Sequence, residues 1–159
     1  MGEATMVRIL FVCHGNICRS TMAQFVMEHL VEHEGVADCF VIDSAATSRE
    51  EIGNDVHPGT QRVLAQQGIA CGSHRARQIR VAEADDWDLI VGMDQRNMSN
   101  LRRMLPASIH GKLYKLMEFA DSDQDVADPW YTGDFQTTFD DVWAGCSGLL
   151  ARLQRQGMA

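Results

Sequence analysis

Proline is scarce in this sequence, and long apolar runs are absent. Three prolines in 159 residues leave no stretch with the composition of a Pro-rich linker, and no repeat or low-complexity segment interrupts the chain. Nowhere does it approach the ~18 consecutive apolar residues that cross a bilayer. Val7–Val12 is too short for the core of a secretory signal. Positive charge is also short, with 14 Lys and Arg against 22 Asp and Glu and a net charge of -8. A nucleic-acid binder needs a positive footprint that this balance does not supply. No G-x4-G-K-[ST] occurs, which excludes a nucleotide P-loop. Cys13 and Cys18 have four residues between them, with no second ligand pair to complete a zinc site. The five cysteines (Cys13, Cys18, Cys39, Cys71, Cys146) are odd in number and widely spread. They suit a reduced protein better than a disulfide framework. The expectation is a cytoplasmic protein with no membrane or nucleic-acid partner.

What is present is the material of one folded domain. The length suits a single core built without disulfides or metals. Residues 1–159 are expected to form that domain, with 1–5 a flexible N-terminal extension. Val7–Val12 reads as a buried strand. Ala23, Val26, Met27 and Leu30 recur at helical spacing up to about Glu34, where Gly35 can stop the helix. Cys39–Ile42 is a second strand, followed by a loop from Asp43 to Asn54. Pro58 can open a helix that ends at Gly68. Asp88–Met93 is a third strand. Asp94 caps a helix running to Leu105, and Pro106 closes it. Lys112–Leu116 is a fourth strand, and a polar segment spans Asp121 to Asp134. Phe135, Phe139, Val142, Trp143, Cys146, Leu149, Leu150 and Leu153 then form one apolar helical stripe, which is the pattern of core packing. Strands alternating with helices predict an α/β fold in three layers: a four-stranded, parallel, twisted sheet with helices on both faces. In such sheets ligands bind beyond the carboxyl ends of the strands.

One motif lies at that place. Val12-Cys13-His14-Gly15-Asn16-Ile17-Cys18-Arg19-Ser20 follows the first strand and opens the first helix. Its C-x5-R spacing lets several backbone N–H groups converge on one anion, and the helix adds its free N–H groups and positive dipole end. Gly15 permits tight or left-handed geometry at close approach. Asn16 tolerates the left-handed region and can pin the loop through its side chain. Arg19 offers a planar fork for two oxygens of a phosphate. The same surroundings favour the thiolate of Cys13, the nucleophilic form of the side chain. Ser20 can donate a hydrogen bond to that sulfur. The motif predicts a phosphate cradle from Cys13 to Arg19 with a sulfur nucleophile at its base.

These residues resemble the phosphate loop of the low-molecular-weight protein tyrosine phosphatases. The likeness continues through Asp43-Ser44-Ala45-Ala46-Thr47, Ser73-His74-Arg75-Ala76-Arg77-Gln78, Met93-Asp94 and Asp128-Pro129-Trp130-Tyr131, in order and at similar spacing along nearly the whole chain. Two positions depart from the family's usual loop: His14 stands where leucine is common, and Thr21 where proline is frequent. The resemblance implies a phosphocysteine at Cys13 and a general acid at Asp128, the aspartate of the Asp-Pro motif. Proton delivery to a phenolate leaving group is a sound role for such an acid, and the following proline fixes the conformation of Asp128. Trp130 and Tyr131 can wall a substrate ring. Asn16, Ser44 and His74 are implied to support the loop from beneath. Arg49, Glu50 and Glu51 fall on the family's variable loop, with Arg49 expected at the substrate wall. Asp94 could act as a second acceptor behind the site, although capping is its simpler role. His29, His33, His57 and His110 have no such context and read as structural or solvated.

Cys18 stands close to Cys13 in the loop, which suggests a redox partner that traps an oxidised Cys13 as a reversible disulfide. Two rival chemistries can use a loop of this kind. A thiol-dependent arsenate reductase needs a downstream cysteine pair, and no two of Cys39, Cys71 and Cys146 are close in sequence. The branch of protein arginine phosphatases carries threonine where Ile17 stands. A silent phosphate-binding module is disfavoured by the nucleophile, arginine and acid occurring together. The expected reaction is hydrolysis of phosphotyrosine in proteins, without metal or cofactor. Inorganic phosphate and other oxyanions are expected to inhibit, and the protein to be monomeric or weakly self-associating.

Overall fold

The structure, a computed structural model, describes residues 6–158; the extension expected at 1–5 lies outside the described residues. The order is β1 (Val7–Cys13), α1 (Arg19–His33), β2 (Phe40–Ala46), α2 (Pro58–Gln66), β3 (Leu89–Gly92), α3 (Gln95–Met104), β4 (Leu113–Lys115), α4 (Pro129–Thr132) and α5 (Phe135–Arg155). Four strands form one parallel sheet in the order β2-β1-β3-β4. This is the predicted α/β architecture.

Alternation along β1 builds the two faces. Val7, Ile9, Phe11 and Cys13 point into a core shared with α1, α2 and α5. Leu10 and Val12 point the other way, into a core with Met98 and Leu101 of α3 and with Trp87. Because β1 is central and covered on both sides, its sequence is apolar almost throughout rather than alternating, as burial on both faces requires. Cys13, its last residue, therefore emerges in the middle of the sheet on the α1 side.

Helix boundaries follow the expected signals. Glu34 caps α1 and Gly35 adopts φ 72°. Pro58 opens α2, and Gly68 follows its end at φ 71°. The second strand departs from expectation. It runs on through Asp43, Ser44, Ala45 and Ala46, which pair with Leu10, Phe11, Val12 and Cys13 of β1, where the sequence suggested a loop from Asp43. The polar residues are tolerated because each finds a partner: Arg77 Nη2 donates to Asp43 at 3.1 Å, and the Ser44 hydroxyl donates to Gln24 Oε1 at 2.6 Å. Beyond β2, the Ala46 N–H donates to the Arg77 carbonyl at 2.7 Å, and Ile79 N–H donates back to Ala46 at 2.8 Å. The stretch around Arg77 is thereby tied to the end of β2. The fourth strand is shorter than expected, with 3₁₀ helices on either side at Ala107–Lys112 and Leu116–Ala120. The polar segment between Asp121 and Asp134 contains the short helix α4.

Candidate active site

The loop between β1 and α1 closes around Cys13. The sulfur is buried, 3.0 Å from Ser20 Oγ, and it accepts the Asn16 backbone N–H at 3.3 Å. Asn16 itself has φ 61°, so the left-handed residue of the loop is Asn16 and not Gly15. Asparagine tolerates that region better than most side-chain-bearing residues. Gly15 matters instead for space, since a Cβ there would lie 3.3 Å from Glu51 Cγ.

The hydrogen bonds around Cys13 form a chain that begins at the Arg77 backbone. The Arg77 backbone N–H can only donate, and it meets Asn16 Oδ1 at 3.2 Å. Asn16 Nδ2 is then the donor to Ser20 Oγ at 2.9 Å. With its oxygen accepting from Asn16, the Ser20 hydroxyl has its own hydrogen available for the sulfur 3.0 Å away, which also accepts from Asn16 N–H. The sulfur thus faces two potential donors at the base of the loop. His74 Nε2 lies 2.7 Å from the Asn16 carbonyl and completes the support. Ser44, by contrast, is not joined to Asn16, because its hydroxyl is engaged by Gln24 on α1.

Arg19 begins α1 with its side chain almost wholly buried. Its Nη1 donates to Asp94 Oδ2 at 2.7 Å and to the Val126 carbonyl at 2.9 Å, and Nη2 reaches Asp128 Oδ2 at 3.4 Å. These bonds fix the plane of the guanidinium while leaving Nε and one hydrogen of Nη2 for an oxyanion. Burial alone would lower the pKa of this group. The sulfur of Cys13, the Asp94 hydrogen bond and the charge of Asp128 outweigh burial and hold it above the ordinary arginine value. Asp128 is the N-cap of α4, its Oδ1 accepting Trp130 N–H at 3.0 Å. Cys13, Arg19 and Asp128 line one cavity of about 110 Å³, with Ile17 in its wall and Trp130 and Tyr131 at its edge.

The family model described as low molecular weight phosphotyrosine protein phosphatase matches residues 8–159. The chain belongs to that family. It is 39% identical to the low molecular weight protein-tyrosine-phosphatase YfkJ of Bacillus subtilis over 153 residues, covering 95% of this chain and 98% of YfkJ. The crystal structure of YfkJ superposes with a TM-score of 0.91 at 38% identity, over 98% of this chain and 99% of that one. The phosphatase PtpA of Staphylococcus epidermidis is 36% identical, covering 91% of this chain and 92% of PtpA. A Drosophila arginine phosphatase shares the fold with a TM-score of 0.84 and 28% identity, over 92% of this chain and 97% of that one. The family is hydrolytic, and this chain is an enzyme of the protein-tyrosine-phosphatase type.

Within this family member, several side chains take places that their sequence context did not reveal. Asp94 does two things at once: Oδ1 accepts Asn97 N–H and caps α3, while Oδ2 holds Arg19. His57 caps α2, its Nδ1 accepting Gly59 N–H at 2.9 Å. Its ring stacks on Phe135 at 5.0 Å and meets the edge of Trp130 at 5.8 Å. Pro58 at the first helical position was the available signal, since the residue before it must be the cap; histidine lies outside the usual capping set. Arg49 is exposed and does not line the cavity; Glu50 and Glu51 from the same loop do. His14 turns outward, with Nε2 2.8 Å from Glu50 Oε2 at the rim. The Thr21 hydroxyl donates to the Cys18 carbonyl at 3.0 Å, which satisfies a polar group buried in the first turn of α1. Cys18 is buried, and burial together with the neighbouring Cys13 and Asp128 pushes its thiol up to about 12. It is thus held as a thiol in the wall of the same cavity as Cys13.

Proposed function

We propose that this enzyme hydrolyses phosphotyrosine in proteins through a phosphocysteine at Cys13. The observation that carries the reading is the convergence of Cys13, Arg19 and Asp128 on one small cavity edged by two aromatic side chains. The phosphate enters the loop, where backbone N–H groups and Arg19 neutralise its equatorial oxygens, as positioned donors do for developing negative charge. The Cys13 sulfur attacks phosphorus in line with the ester oxygen. The S–P bond forms as the P–O bond to the ring breaks, and Asp128 delivers its proton to the departing phenolate. Water then attacks the phosphocysteine, with Asp128 taking a proton back. The thiolate leaves, stabilised by the Ser20 hydroxyl and the Asn16 N–H.

The wall of the cavity supports an aryl ester. Ile17 presents an apolar side chain where a ring would pass, and Trp130 and Tyr131 are exposed at the mouth. All five cysteines are unpaired, which fits work in a reducing compartment, and we place the enzyme in the cytoplasm. Cys146 is wholly buried in α5, a poor position for the resolving thiol an arsenate reductase would need.

The test is a panel of phosphotyrosine, phosphoserine and phosphoarginine peptides with Cys13→Ser as control. Turnover of phosphotyrosine peptides, lost in Cys13→Ser while phosphate still binds, supports the reading. Preferred turnover of phosphoarginine, or hydrolysis near the parent rate by Cys13→Ser, overturns it.

A further inference from the structure

Behind the loop lies an ion-pair cluster that the proposed chemistry does not use. Glu83, in the 3₁₀ helix Val81–Asp86, is 5% exposed and accepts four hydrogen bonds. Arg77 reaches it with both ends of its fork, Nη1 to Oε2 at 2.7 Å and Nη2 to Oε1 at 3.0 Å. Arg80 N–H and Trp87 Nε1 supply the other two, at 2.9 and 3.1 Å. Arg77 Nη2 also holds Asp43 of β2 at 3.1 Å. A carboxylate buried to this extent is retained only when its hydrogen bonds are complete. Here they are complete, and they fix one residue above all, Arg77.

The backbone of Arg77 is committed on both sides. Its carbonyl accepts the N–H of Ala46, the register partner of Cys13, and its N–H donates to Asn16 Oδ1. That second bond sets which way round the Asn16 amide stands. The amide in turn directs the Ser20 hydrogen to the Cys13 sulfur.

We propose that the Arg77–Glu83 ion pair is a positioning device for the nucleophile: it locks the Arg77 N–H against Asn16 and so keeps the Ser20 hydrogen aimed at Cys13. Arg77 and Glu83 act through Asn16 and Ser20 and touch no substrate. Asp43 is the outer brace of the same device, since it holds the same guanidinium from the middle of β2. The proposal rests on the reading of Cys13 as the nucleophile, and its readout is independent of any phosphoester.

The experiment measures the rate of Cys13 alkylation by iodoacetamide against pH, located by fragment mass spectrometry, alongside thermal unfolding of the same samples. In Arg77→Gln and Glu83→Gln the profile moves to higher pH, with alkylation at pH 6 slower by about threefold or more and unchanged at pH 9, because the thiolate has lost its directed donor. Asp43→Asn, which loosens only the outer brace and leaves Glu83 in place, gives a smaller shift in the same direction and covers the case in which the larger changes unfold the protein. In an Asn16→Ala background the link is already cut, and adding Arg77→Gln moves the profile no further. A profile unchanged in every variant that folds overturns the proposal, as does a shift that persists in full without the Asn16 side chain. A shift in the profile of an enzyme that fails to turn over phosphotyrosine overturns the functional reading and leaves the positioning role standing.

Discussion

Cys13 and Asp128 share one cavity but carry different parts of the proposed reaction, so their variants should fail differently. A positioned general acid contributes roughly 10²–10⁴-fold, and that contribution matters most when the departing group is a poor one. Asp128→Ala is expected to lower kcat within that range for phosphotyrosine and much less for p-nitrophenyl phosphate. Steady-state kinetics on the two substrates checks this, and equal losses would move the acid elsewhere. Cys18 has a different test. Its buried thiol does not compete for phosphorus, yet it stands beside Cys13 in the loop. If peroxide converts Cys13 to the sulfenic acid, the Cys18 thiol can condense with it, forming a disulfide and releasing water. Peroxide-treated Cys18→Ser enzyme should then recover much less activity with dithiothreitol than the parent, and equal recovery would remove the redox role. At this scale the motif-bearing residues were legible in the sequence because their chemistry and their spacing coincide. Ser44 and Arg49 were not placed correctly: a hydroxyl on β2 takes the nearest acceptor, Gln24, and a long exposed arginine has nothing to hold it at the rim. Asp94 was read first as a cap and second as an acceptor behind the site, since a helix start is written locally, whereas its bond to Arg19 joins positions far apart in the chain.

The element that closes the molecule is α5, and its packing is testable at one glycine. A Cβ on Gly148 would lie 1.9 Å from the Phe119 carbonyl oxygen and 2.7 Å from its carbonyl carbon. Backbone atoms cannot swing aside as a side-chain end can, so α5 and the 3₁₀ helix Leu116–Ala120 must separate. Overpacking of this kind costs about 1–3 kcal/mol, and each kcal/mol lowers Tm by roughly 2–4 °C in a protein of this size. Gly148→Ala should show that loss in a melting curve. Neither residue lines the cavity, so kcat per folded molecule should be unchanged. The close contact was invisible in the sequence, whereas α5 itself was the plainest element, because an apolar stripe at helical spacing has one physical explanation. The same logic explains the misread end of β2. Strand pairing there is a backbone matter, set by register against β1, and the polar Asp43 and Ser44 conceal it until Arg77 and Gln24 are in place. The 3₁₀ helices were also illegible, being short pieces of at most six residues fixed by the elements on either side of them.

Across the whole molecule, the balance of 14 basic and 22 acidic side chains makes stability sensitive to acid, and individual carboxylates pull in opposite directions. Burial alone would raise the pKa of Glu83, but the Arg77 guanidinium and the Arg80 and Trp87 N–H groups bring it down to about 2 from an ordinary 4.5. A carboxylate depressed in the folded state adds stability that is fully present above its unfolded pKa and is lost as pH falls through the folded one. For Glu83 that window runs from about pH 4.5 down to about pH 2, with a contribution on the order of 3 kcal/mol. Glu28 and Asp141 work against it: burial raises both, ahead of the effects of their neighbours, so protonating them as pH falls favours the folded state. Glu83→Gln isolates the larger effect. At pH 7 the variant should be less stable than the parent, because the half-buried Arg77 guanidinium and the buried Trp87 indole N–H have lost a charged partner. As pH drops toward 2.5 the parent should lose stability faster, and the gap between the two should narrow. Urea unfolding at half-unit steps from pH 6 to 2.5 measures that gap. Parallel curves would mean that Glu83 is not held ionised by Arg77, which would also remove the anchor proposed for the catalytic loop.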